Sequence, residues 1–155
     1  MEVWEVIARE SIRDLATRYN ANGDSGRFDN VMLLFADDAV MKLEGMELEG
    51  EDGRDPYRGH DEILSIFTGA RDRQPDEPGG DQPSGAPEHY VRRRIATHQI
   101  DFDDETHALG YCYYQVVMPH GLDHWGRYFD RYEQRDGRWL FTHRRVTVEG
   151  RTERS

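Results

Sequence analysis

Seven histidines, His60, His89, His98, His107, His120, His124 and His143, are the side chains of this sequence that exchange protons near neutral pH. None of them forms a His-Glu-x-x-His pattern or a comparable ligand spacing, so no metal site is expected. The single cysteine, Cys112, permits neither an internal disulfide nor a cysteine zinc site. The run Arg92-Arg93-Arg94 is too short to be a nucleic-acid patch on a chain with 31 acidic and 20 basic residues and a net charge of −11. No Gly-rich phosphate loop, Walker motif or nucleophile elbow occurs, and no cofactor is expected. What remains is acid–base chemistry by separated side chains, and only a fold can assemble those.

The elements that would do so are legible from periodicity. Residues 2–22 carry Trp4, Ile7, Ala8, Ile12, Leu15 and Tyr19 at helical spacing, and Asn22-Gly23 should end that helix with Gly23 left-handed. A short second helix buries Phe28, Val31, Met32 and Phe35, with Asp24 and Ser25 where its N-cap belongs and Asp37-Asp38 at its end. Strands are expected near 39–44 and 46–50, followed by a third helix that buries Ile63, Ile66 and Phe67. From 71 to 88 no period survives and four prolines fall, so residues 72–87 read as a flexible lid. Strands are then expected over about 90–102, 108–118, 124–134 and 139–148, the last two joined at Asp136-Gly137, a strong hairpin signal. Helices first and strands last imply segregated α+β layers.

The 155 residues fit one domain, 1–155, with a short C-terminal tail from about 150. The longest apolar run, from Val31 to Ala36, is far short of the roughly 20 residues that span a bilayer. The acidic start shows no signal pattern, and a cytoplasmic protein with no membrane or nucleic-acid partner is expected.

The ordered set of motifs resembles the SnoaL-like families of the nuclear transport factor 2-like superfamily. It runs through Ile12-Arg13-Asp14-Leu15, Asp24-Ser25-Gly26-Arg27-Phe28-Asp29, Leu34-Phe35-Ala36-Asp37-Asp38-Ala39-Val40, Tyr57-Arg58-Gly59-His60-Asp61-Glu62-Ile63, and Gly126-Arg127-Tyr128-Phe129-Asp130-Arg131 with Arg135-Asp136-Gly137-Arg138-Trp139. That family includes scytalone dehydratase, the hexachlorocyclohexane dehydrochlorinase and the small subunits of ring-hydroxylating dioxygenases. The resemblance implies a cystatin-like cone, three helices packed on a curved antiparallel sheet. In catalytic relatives an aspartate between the first two helices works with a histidine on the first long strand.

Asp24 falls on the aspartate position, and Arg93 stands where the histidine would be. A guanidinium cannot accept a proton near pH 7, so the literal dyad is missing. Asp24 then reads as a general base or as a plain N-cap; Arg93 reads as a holder of oxyanion charge or as an ion-pair partner. If the resemblance holds, the two side chains share one cavity and are paired. His120 matches a family Pro-His approximately, and His124 lies four residues on. Either could supply the titrating group. Tyr19, Tyr113 and Tyr128 are the candidate substrate-binding hydroxyls, or simply amphipathic core.

Two functions follow: a cofactor-independent lyase or isomerase acting on a small hydrophobic or aromatic molecule, or a non-catalytic ligand-binding or oligomerisation domain. The aromatic residues Tyr128, Phe129, Tyr132, Trp139 and Phe141, spread over both faces of the last strands, predict a homo-oligomer, a dimer or trimer.

Overall fold

The structure, a computed structural model, describes residues 1–45, 56–72 and 90–153. The expected strand over 46–50 and nearly all of the 72–87 lid lie outside the described residues. Helix α1 spans Val3–Asp24 and buries Ala8, Ile12, Leu15, Ala16, Tyr19 and Asn20. It runs past Asn22-Gly23, because the left-handed residue is Gly26 (φ 73°) rather than Gly23. The amide of Gly26 donates to Gly23 O (3.3 Å) and that of Arg27 to Asn22 O (2.9 Å), the two crossed bonds of a Schellman end. Asp24 is therefore the last helical residue of α1. The next helix, α2 (Phe28–Met32), has Arg27 at its N-cap without a side-chain cap bond, so the N-cap role read for Asp24 is withdrawn.

Strand β1 (Phe35–Gly45) absorbs Asp37-Asp38, which had been expected to end the second helix. Strand β2 (Tyr57–Arg58) and helix α3 (Gly59–Asp72) follow. The long strands are β3 (Arg92–Phe102), β4 (His107–Met118), β5 (Gly121–Arg135) and β6 (Arg138–Val148). Asp136 (φ 51°) and Gly137 (φ 78°) make the β5–β6 turn, as the Asp-Gly signal predicts. Residues 150–151 are not tail: they form β7 (Gly150–Arg151), paired with β5.

The sheet order is β2-β1-β6-β5-β4-β3. It is mixed rather than purely antiparallel, because β1 runs parallel to β6. The helices cover one face of the curved sheet, and Tyr19 is the hub of the contact. Its ring lies 5.8–6.1 Å from those of Phe35, Phe67, Tyr128 and Phe141.

Strand β4 alternates strictly, with Ala108, Cys112, Tyr114 and Val116 buried and Tyr113 44% exposed. Of the five aromatics read as divided between the faces, Tyr128, Tyr132, Trp139 and Phe141 are buried, and only Phe129 lies with Tyr111 and Tyr113 on the outer face.

Candidate functional site

The Schellman end of α1 aims the Asp24 carboxylate at the first long strand. Its Oδ2 accepts the Arg93 backbone amide at 2.8 Å, and its Oδ1 accepts a short hydrogen bond from Arg93 Nη1. The Asp24 side chain is 7% exposed and that of Arg93 31%. Burial pushes the Asp24 carboxyl above the usual carboxylate range, against the pull of the Arg93 guanidinium and amide. Its place in the last turn of a helix, at the negative end of the macrodipole, acts in the same direction. Arg93 stays cationic: burial opposes its charge, but Tyr128, Asp24 and Tyr19 around it outweigh that. Both carboxylate oxygens are thus engaged by one residue, so Asp24 fixes Arg93 in place at least as much as it offers a free base.

Tyr19 and Tyr128 lie beside this pair in the buried layer, 5% and 2% exposed. Burial raises both phenol pKa values, so each hydroxyl is held as a donor. Tyr128 donates to Asn20 Oδ1 at 3.3 Å. Tyr113 does not join them. It projects from the opposite face of β4, because the period-2 alternation gives the inner place to its neighbour Tyr114. Tyr114 stacks on Tyr128 with centroids 4.5 Å apart and donates to Thr147 O at 2.6 Å.

The two candidate histidines share one carboxylate. His120 Nε2 is 3.0 Å from Asp123 Oδ1 and His124 Nδ1 is 2.7 Å from Asp123 Oδ2, with Asp123 3% exposed. His120 is 42% exposed in the turn between β4 and β5. His124, 18% exposed, sets its ring edge-on to Tyr114 at 6.2 Å.

Sequence reasoning missed the deepest charges. Arg144 and Asp130 are both wholly buried and joined by two bonds, Nε to Oδ1 and Nη2 to Oδ2, each 2.8 Å. The guanidinium lies 4.0–4.3 Å from the ring centroids of Tyr19, Tyr128 and Phe141, while Nη1 has no hydrogen-bond partner among the described residues. Tyr132 donates to Asp130 Oδ2 at 3.0 Å and meets His98 Nε2 at 3.3 Å. A signal was available: Asp130 has the parity of Tyr128 and Tyr132 on one strand, which puts a charge in the apolar row.

Among the described residues no three His, Cys, Asp or Glu side chains are grouped to hold a metal. A polar groove of about 270 Å³, lined by Asp38, His107, Arg131, Glu133, Arg135 and His143 among others, lies apart from Asp24 and Arg93. No helix of the described residues is long and apolar enough to cross a membrane.

Solved structures share this architecture. A protein assigned as a scytalone dehydratase from Novosphingobium aromaticivorans superposes with a TM-score of 0.75 at 17% identity, covering 100% of this chain and 93% of its own. Hexachlorocyclohexane dehydrochlorinase LinA-type3 from Novosphingobium barchaimii gives 0.72 at 15% identity, over 98% and 93% of the two chains. The beta subunit assigned to an aromatic-ring-hydroxylating dioxygenase of N. aromaticivorans gives 0.68 at 17% identity, over 94% and 92%. At such identities the likeness establishes the cystatin-like fold. No curated protein matches the sequence. The SnoaL-like domain model matches residues 4–145, nearly the whole length, and the chain belongs to the SnoaL-like family.

Proposed function

We propose that this protein is a cofactor-independent lyase or isomerase that moves a proton on a small hydrophobic or aromatic molecule. The observation that carries the reading is the Arg93 guanidinium, fixed by Asp24 where the end of α1 meets β3. A positioned cation beside the buried Tyr19 hydroxyl suits negative charge developing on a substrate oxygen. Fold neighbours named as a dehydrochlorinase and as a scytalone dehydratase agree with this class of reaction. A cytoplasmic setting accords with the single buried thiol, Cys112.

The test is exchange of α-protons of aromatic ketones, such as 2-tetralone, for deuterium in heavy water, followed by proton NMR. The wild-type protein should exceed the buffer rate, and Arg93→Met should lose about 100-fold or more, the usual effect of one oxyanion donor. A wild-type rate equal to buffer across a panel of such ketones refutes the enzyme reading.

The second reading is a non-catalytic binding or assembly domain, favoured by the outer sheet face. There Tyr111, Tyr113 and Phe129 form an aromatic cluster with Arg127 and Arg145 stacked 4.8 and 4.1 Å from the Phe129 ring. We propose that this face joins copies of the chain into a dimer or trimer. A monomer by light scattering at micromolar concentration would refute assembly through this face.

A further inference from the structure

We infer that His124, oriented by the buried carboxylate of Asp123, is the group that takes the substrate proton, opposite Arg93 on the same face of the sheet. The inference rests on the proton-transfer reading above and assigns the base that reading needs. Arg93 cannot accept a proton, and both oxygens of Asp24 are already engaged by Arg93. Asp24 is thereby committed to holding Arg93, and a histidine on the same helix-covered face is the group best placed to take the proton.

The strand register provides one. Arg93 pairs with Val116 on β4, and Val116 pairs with His124 on β5. Directly paired residues project from the same face, so Arg93, Val116 and His124 form one transverse row. Two strand spacings put the Arg93 and His124 Cα atoms about 9.5 Å apart. Side chains leaving one face at that separation can bracket a single small molecule.

Local structure makes His124 more than an adjacent histidine. The register slips between Val116 and Val117, which pair with His124 and Leu122, so Asp123 is the extra residue of a β-bulge. A bulge re-aims a side chain, and here it turns Asp123 inward to 2% exposure beside its own neighbour. The backbone of Asp123 is fixed as well, its carbonyl accepting the Thr152 amide at 2.9 Å and the Thr152 hydroxyl at 3.3 Å. A carboxylate only accepts, so the 2.7 Å contact places the proton of neutral His124 on Nδ1. The Nε2 lone pair is then available, and among the described residues Nε2 makes no hydrogen bond. The other titratable or charged groups set against this imidazole are Tyr114 from β4, Arg151 paired from β7, and His120 across Asp123.

The chemistry balances without a cofactor. A small carbonyl compound with an α-proton lies between Arg93 and His124. The C–H bond breaks, its electron pair forms the enolate whose oxygen faces Arg93, and the proton bonds to Nε2. The resulting imidazolium is paired with Asp123. With a β,γ-unsaturated substrate, returning the proton to the γ-carbon of the dienolate completes an isomerisation; with a β-hydroxy substrate, loss of the hydroxyl, which takes up the same proton and leaves as water, completes a dehydration. Asp123 is a positioning residue. It fixes the tautomer and stabilises the imidazolium.

Two measurements on the full chain test this. Nitrogen-15 NMR of histidine-labelled protein should find neutral His124 protonated at Nδ1, and Asp123→Asn should change that tautomer population. In the 2-tetralone deuterium-exchange assay, His124→Ala should lose about 100-fold or more. Added imidazole should restore part of that rate, which a purely structural role would not allow. Asp123→Asn should lower kcat with little change in KM and alter the pH profile of the exchange rate. An Nε2-protonated His124, or wild-type exchange in a folded His124→Ala protein, overturns the inference while leaving the proton-transfer reading intact. No exchange by the wild type overturns both.

Discussion

Asp130→Asn should be among the most damaging single changes to stability. The carboxylate and the Arg144 guanidinium are each 0% exposed, and two 2.8 Å bonds join them. An asparagine keeps the shape but removes the charge, and its amide group turns a donor toward Arg144 Nη2 and the Tyr132 hydroxyl. Stripping one partner from a buried ion pair costs about 3–5 kcal/mol, because the other charge stays buried alone. Three ring faces within 4.3 Å of the guanidinium retain some favourable field, which places the loss toward the lower end. At roughly 2–4 °C per kcal/mol for a domain of this size, the melting temperature should fall by about 6–20 °C. Urea unfolding followed by tryptophan fluorescence reads the same loss in free energy. The double variant Asp130→Leu with Arg144→Met should recover most of it, since an apolar replacement of a buried pair is often neutral or stabilising by about 1–4 kcal/mol. If Asp130→Asn unfolds within about 1 kcal/mol of wild type, the pair is not the central strut described here.

Stability should also fall in mild acid. Burial lowers the His98 pKa below 6.5, helped by Arg13 and Arg144 and opposed by Asp130. The unfolded chain therefore binds the proton more readily. The contribution is complete above about pH 6.5 and is lost as pH drops through the folded value. His98→Gln should flatten the melting-temperature slope in that window while leaving the later loss below pH 4, where Asp104, lowered to about 2 by hydrogen bonds from Thr106 and His107, contributes. An unchanged slope in that variant would show that His98 is not the sensor. Gly126→Ala should destabilise by about 3 kcal/mol or more, beyond ordinary overpacking, because the added Cβ would stand 1.8 Å from the Thr147 backbone oxygen. A wild-type unfolding midpoint for Gly126→Ala would mean that β5 and the end of β6 are not so closely packed.

Much of the architecture is written in local patterns. The 3.6-residue period over Ala8, Ile12, Leu15 and Tyr19 and the Asp-Gly hairpin at 136–137 depend on residues near one another in the chain, so composition and spacing suffice to place α1 and the β5–β6 turn. The family motifs likewise brought Asp24 and Arg93 to attention, two residues 69 positions apart that meet in the structure.

Four features were decided only by tertiary structure. The parallel pairing of β1 with β6 depends on where the chain returns, and no local period encodes it. The faces of β3 and β5 depend on bulges, at Thr97 and at Asp123, each a single residue that reverses which side chains point inward. A strict alternation read from Arg93 would put Thr97 rather than His98 on the inner face, and no local pattern would set Asp123 beside His124. The place of Tyr113 was undecided for a related reason: tyrosines of both parities populate β4, and only the helices resting on one face settle which is inside. The buried charge Arg144 stayed hidden because a guanidinium is normally a surface group. It is tolerated at the centre because Asp130, two residues from both Tyr128 and Tyr132, neutralises it from the neighbouring strand.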